Sequence, residues 1–87
     1  MAKFTKDMIV ALKALNPPYP GLAFDLVEYP EYLAIRVYEN QIMALPEGYQ
    51  VSVMEYLHQM RNILISLGAE KVFFDGVQGD PPRGGLR

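Results

Sequence analysis

The sequence predicts one small α+β domain with the element order α-β-β-β-α-β. Two segments repeat apolar residues at three- and four-residue steps, which is the spacing of amphipathic helices. The segments between and after them alternate apolar and polar residues, as strands do. The chain of 87 residues has the length of one domain. Each helix has a single apolar stripe, so we expect an antiparallel meander and a fourth strand in one sheet, with both helices packed on one sheet face.

The first helix is predicted over residues 6–15. Thr5 precedes it and is a good N-cap, because its hydroxyl accepts a hydrogen bond from a free amide of the first turn. The apolar stripe consists of Met8, Leu12 and Leu15. Asn16 and the two prolines after it end the helix, because proline disfavours helical geometry in the residue before it.

Two strands are predicted after the first helix, over residues 22–27 and 32–38. Both runs alternate with a period of two, and the second is rich in aromatic and β-branched residues. The apolar row of the second run consists of Leu33, Ile35 and Val37. We expect this row to face the helices.

A hairpin and a third strand are predicted to follow. Glu39 and Asn40 fit a two-residue hairpin loop, because asparagine tolerates the positive φ that such turns require. The third strand then covers residues 41–45. With this loop, Met43 shares a sheet face with Arg36.

The second helix is predicted to begin at Ser52. Ser52 and Glu55 have the spacing of a capping box, in which each side chain bonds an unpaired backbone amide of the other residue. Gly68 stands where a left-handed C-cap belongs. The apolar stripe between them consists of Val53, Tyr56, Leu57, Met60, Ile63, Leu64 and Leu67.

A last strand, residues 71–77, completes the predicted domain of residues 1–79. By its direction this strand is expected to run parallel to the first and third strands. Residues 80–87 have no periodicity and contain a Pro-Pro and a Gly-Gly pair. They are predicted to form a flexible C-terminal tail.

The composition argues against several classes of protein. The chain has no cysteine, which excludes disulfides, thiolate metal sites and cysteine nucleophiles. Its net charge is −2 and its basic residues are scattered, whereas nucleic-acid-binding proteins gain affinity from clustered positive charge. No apolar run approaches the ~20 residues of a membrane span. We therefore expect a cytoplasmic protein that binds neither nucleic acid nor membrane.

The sequence contains no motif for catalysis or metal binding. His58 is the single histidine, and it falls on the polar face of the second helix, where a general base would lack a pocket and an orienting partner. The carboxylates are spread along the chain rather than gathered in one cation-binding loop. We predict that the protein is not an enzyme and has no metal or cofactor.

The sheet face turned away from the helices is predicted to be rich in aromatic residues. A solvated sheet face usually carries Lys, Glu, Thr and Ser, whereas Tyr, Phe, Met and Arg are enriched at protein interfaces. Neighbouring residues of a strand point to opposite faces, so one phenylalanine of the last strand joins this face. The predicted interface residues are Tyr29, Tyr32, Arg36, Tyr38, Met43 and Phe73.

These features favour a small non-enzymatic protein that acts by protein–protein contact, because monomers rarely expose large apolar patches. Accessory and inhibitor proteins of phages and mobile elements are often short, acidic and free of cysteine in this way. We also expect a homodimer. One alternative is a ligand-binding module or complex subunit whose pocket forms only at a dimer interface. Another is a small enzyme that uses tyrosine and carboxylate groups.

Overall fold

The computed structural model describes residues 2–18 and 21–79, and within them it confirms the α+β class. The order of elements is α-β-β-α-α-β rather than α-β-β-β-α-β, and the described sheet has three strands rather than four. The predicted tail, residues 80–87, lies outside the described residues. The elements are α1 (Lys6–Lys13), β1 (Phe24–Glu28), β2 (Leu33–Tyr38), α2 (Glu39–Met43), α3 (Glu47–Ser66) and β3 (Val72–Val77).

Strand β2 is the centre of the sheet. It pairs with β1 antiparallel on one side and with β3 parallel on the other. The last strand was expected to run parallel to the first, but it runs antiparallel to it. The cause is the missing third strand: without that reversal, the chain leaves β2 through the two helices and returns in the direction of β2.

Helix α2 replaces the predicted hairpin and third strand. The amide of Gln41 makes two hydrogen bonds to the backbone of Ala23: it accepts from the N–H at 2.8 Å and donates to the carbonyl at 2.9 Å. The backbone N–H of Asn40 donates to the carbonyl of Gly79 at 3.3 Å. These contacts hold α2 against the segment before β1 and the segment after β3, while β3 takes the place beside β2 that the third strand was expected to fill.

Helix α3 begins at Glu47, more than one turn before the predicted start at Ser52. Pro46 is the N-cap residue, and proline suits a helix start because it has no N–H to leave unpaired. Ser52 is an interior residue of the helix, and its hydroxyl donates to the carbonyl of Gly48 at 3.3 Å. The predicted capping box is therefore wrong, although the predicted stripe is correct in Val53, Tyr56, Leu57, Met60 and Leu64, which are all buried.

The core lies between β2 and the two long helices. Leu33 and Ile35 project from β2 into one cluster with Met8 and Leu12 of α1, and with the buried stripe of α3. Helices α1 and α3 therefore cover the same face of the sheet, as the single stripe on each predicts. The opposite face of the same strand carries Ala34, Arg36 and Tyr38.

The two predicted N-caps give a direct test of these helix starts. Thr5 Oγ1 accepts from the N–H of Met8 at 3.2 Å, so Thr5→Ala should lower the free energy of unfolding by about 1 kcal/mol. Ser52→Ala should change it by less than about 0.5 kcal/mol, since alanine is the better helix former in a helix interior. Urea denaturation of the two variants measures both. A larger loss for Ser52→Ala would contradict the helix start at Glu47.

Candidate functional site

The candidate site is the sheet face opposite the helices, which we call the tyrosine face. The pleat of the strands and the registers between them determine which side chains project from this face. Asp25 lies opposite Arg36, and Arg36 lies opposite Asp75. Tyr29 and Tyr32 flank the turn between β1 and β2, and their rings join the same face. The tyrosine face consists of Asp25, Val27, Tyr29, Tyr32, Ala34, Arg36, Tyr38, Phe73, Asp75 and Val77.

Three aromatic rings form one cluster on this face. The rings of Tyr29 and Tyr32 are stacked with centroids 4.6 Å apart. Tyr32 meets Phe73 edge to face at 5.1 Å, and both arrangements are favoured by the ring quadrupole. Phe73 is 52% exposed. An apolar ring is thus held in a fixed place, yet half of its surface remains in contact with solvent.

A polar network holds the cluster in position. Arg36 Nε donates to Asp75 Oδ2 at 3.1 Å, and Arg36 Nη2 donates to the Tyr29 hydroxyl at 3.3 Å. The hydrogen bond to Asp75 is the main cause that raises the pKa of Arg36 above its ordinary value. The Arg36 and Asp75 side chains are 34% and 37% exposed, so solvent screens the pair and its net contribution to stability is at most about 1 kcal/mol. Its role is to orient Tyr29.

Tyr38 lies on the predicted face, but it is only 6% exposed. Its hydroxyl donates to the carboxylate of Asp25, and this hydrogen bond raises the pKa of Tyr38. A bond that holds the proton on the phenol makes ionisation harder. Tyr38 was expected near the centre of an exposed surface, whereas the structure makes it a packing residue of that face.

Met43 was expected on this face as part of the third strand. It lies in α2 instead and is 74% exposed, so no strand pleat places it beside Arg36. Asp75, by contrast, was not predicted to lie on this face, yet it accepts a hydrogen bond from Arg36. The alternation of Phe73, Asp75 and Val77 is the signal for it, but that signal becomes useful only when β3 is known to lie next to β2.

The described residues outside this face show little that suggests a catalytic or metal-binding site. His58 lies on the helix side of the sheet, where its ring meets Phe74 edge to face at 5.5 Å. Within residues 2–18 and 21–79, no group of three His, Asp or Glu side chains is placed to hold a metal ion. None of the helices in that part of the chain has the length and apolar character to span a membrane.

A cavity with a volume of about 690 Å³ lies where the N-terminal segment, the β1–β2 turn and the α3–β3 turn meet. Its charged lining residues are Lys3, Glu31, Glu70 and Lys71. All four are exposed, so the cavity has no buried charged group to select a ligand. It does not form a second candidate site.

No protein-family model, curated protein or solved structure matches the chain.

The pairing of Tyr38 with Asp25 predicts a pH dependence. The hydrogen bond needs the protonated phenol, so its contribution to folding is complete below the unfolded-state pKa of about 10 and is lost as the pH rises through the raised folded-state pKa. NMR titration of the tyrosine ring carbons should show Asp25→Asn lowering the pKa of Tyr38. The pKa of Tyr56, which burial raises, should stay raised in that variant. An unchanged Tyr38 titration would contradict the pairing.

Proposed function

We propose that the protein is a non-enzymatic interaction protein that binds a partner protein through the tyrosine face. The observation that carries this proposal is the ring cluster of Tyr29, Tyr32 and Phe73, in which the two tyrosines are half-buried and Phe73 is exposed. Aromatic residues dominate binding energy where they are packed together and lose water on binding. The cluster is ordered before binding, so a partner gains the ring contacts without the cost of fixing the side chains.

The charges of the face define the chemistry of the partner. Two carboxylates, Asp25 and Asp75, flank one guanidinium group, Arg36. A carboxylate has more acceptor positions than the one or two donors these aspartates receive from this chain. The fitting partner therefore offers apolar side chains to the rings and hydrogen-bond donors, such as Lys, Arg or Tyr, to the two carboxylates. The absence of cysteine fits a cytoplasmic setting, and an accessory or inhibitor role fits the small size.

One observation favours the alternative of ligand binding. A depression with a volume of about 320 Å³ lies among Tyr29, Tyr32, Phe73 and Asp75. This volume is at the lower end for a small-molecule site, and the depression is open to solvent. A second copy of the chain placed beside Phe73 would deepen this depression. The result would be a pocket at a dimer interface, as the ligand-binding alternative requires.

Substitution of Phe73 tests the proposal. Phe73→Thr keeps a β-forming residue on the strand but removes the ring, so partner affinity should fall by more than about 1 kcal/mol while the protein stays folded. Val10→Thr is the matched control, because Val10 is 60% exposed and lies on α1, in the helix layer. The tagged full-length protein and both variants are used to capture proteins from the source cells, followed by quantitative mass spectrometry and titration of the captured protein.

The proposal expects a protein that the original chain and Val10→Thr both bind and that Phe73→Thr loses. Equal binding by all three chains would contradict it. Loss of a small molecule rather than of a protein, seen by mass spectrometry of the native complex, would favour the ligand-binding alternative.

A further inference from the structure

The outer edge of β3 carries backbone groups that have no partner among the described residues. The N–H of Leu33 donates to the carbonyl of Lys71 at 3.0 Å, and backbone groups point to alternate sides along a strand. The backbone N–H and C=O groups of residues 71, 73, 75 and 77 therefore point toward β2. Those of Val72, Phe74 and Gly76 point away from the sheet. One outward group is occupied, since the carbonyl of Val72 accepts from Arg61 Nε at 3.0 Å.

Helix α3 presents a stripe on the same side of the molecule. Met54, His58, Arg61 and Ile65 follow one another at steps of four, three and four residues, which is the spacing of a helix–helix seam. Arg61 bonds Val72 and His58 contacts Phe74, so this stripe runs along the outer edge of β3. Met54 and Ile65 are exposed. A strand edge that is largely unpaired among the described residues thus coincides with an exposed helix flank.

We propose that a second copy of this chain occupies this edge. The two β3 strands pair antiparallel about a twofold axis, and the two α3 helices lie side by side over the joined sheet. Strand edges pair readily with another strand when they are not covered, and a twofold arrangement uses the same edge on both copies. The inference goes beyond the proposed function and does not rest on it: the dimer uses Phe73 and Asp75 of the tyrosine face, but it does not require that face to bind a partner protein.

The side chains of β3 select one register. Partners across a twofold antiparallel pair share a face, so the axis passes through one residue and its copy. With the axis at Phe73, the two Phe73 rings become neighbours and Lys71 lies opposite Asp75 of the second copy, which gives two pairs of opposite charge. An axis at Asp75 would put like charges together. An axis at Phe74 would leave Phe73 opposite a carboxylate.

The helices select the same register independently. The contacts of Arg61 with Val72 and of His58 with Phe74 lie on either side of Phe73. An axis at Phe73 therefore passes between His58 and Arg61 along α3. Met54 and Ile65 lie at equal distances on opposite sides of that midpoint. The twofold axis therefore brings Met54 of one copy next to Ile65 of the other, so the two exposed apolar residues of the flank contact each other.

This dimer joins the two tyrosine faces into one. Three strands from each copy would form a continuous six-stranded sheet. The outward N–H groups of Val72 and Phe74 would donate to carbonyl groups of the second copy. The carbonyl of Val72 can keep its bond to Arg61, because a carbonyl oxygen has two lone pairs.

Sedimentation equilibrium of the full-length protein tests the inference with two pairs of variants. In this register Gly76 lies opposite Glu70 of the second copy, just before β3, so Gly76→Pro removes an outward N–H at the end of the joined strands without breaking the β2 pairing. Gly76→Ala is its control, since both would place a Cβ 3.3 Å from Glu39 Oε1. Lys71→Glu places like charges opposite each other, and Lys6→Glu makes the same change of net charge on α1. The dissociation constant should rise more than about tenfold for Gly76→Pro and Lys71→Glu and stay within about threefold for the controls.

A monomer at about 500 µM, far above the dissociation constants of stable dimers, would overturn the inference. So would a dimer that Lys71→Glu leaves intact, and this outcome decides the matter if Gly76→Pro does not fold. A dimer lost with Tyr32→Ala but not with Lys71→Glu would place self-association on the tyrosine face instead. Loss of partner capture with Phe73→Thr alongside an intact dimer would bear on the proposed function alone.

Discussion

The structure depends on the central position of β2, which pairs with a strand on each side and is buried on both faces. Leu33 and Ile35 are buried among the helices, and Ala34 between them is buried on the other side. A strand in this position cannot shift by one residue, because the shift would move the apolar row away from the helices and expose it. The different composition of the two sheet faces follows from this fixed register. One face holds the core, and the other holds side chains that the core does not need.

The local pattern of the sequence was sufficient for the elements that rest on local contacts. Helix α1 begins after Thr5, and the alternation along β2 assigns each of its residues to the correct face, because both features depend on neighbouring residues. The predicted interface residues Tyr29, Tyr32, Arg36, Tyr38 and Phe73 lie on the expected face, Phe73 through the pairing of β3 with β2. Their role in binding remains a proposal.

The errors have a different physical origin, since each depends on contacts between distant residues. The hairpin at Glu39 and Asn40 was locally plausible, but Gln41 bonds the backbone of Ala23, 18 residues away in sequence. No periodicity signals that contact. The burial of Tyr38 likewise depends on its position beside Asp25, and the pairing of Arg36 with Asp75 spans 39 residues. The start of α3 was misplaced because the Ser52–Glu55 spacing occurs by chance inside a helix that Pro46 already begins.

The tyrosine face and the outer edge of β3 meet at Phe73, which connects the two proposals in space. The ring projects onto the face, and the backbone of the same strand forms the edge. The Arg36–Asp75 pair lies beside it and holds Tyr29 against Tyr32. A partner that contacts the ring cluster of a dimer would therefore meet rings from both copies, and its binding would be strengthened by two adjacent sites on one rigid surface.

Photo-crosslinking inside the source cells tests whether the tyrosine face binds a partner protein. A photoreactive phenylalanine analogue is placed at position 73 in one chain and at position 10 in another, and the crosslinked products are identified by mass spectrometry. We expect position 73 to crosslink to one defined protein other than this chain, in addition to any crosslink between two copies of the chain, with position 10 giving only background. A defined partner at position 10 and none at position 73 would contradict the account.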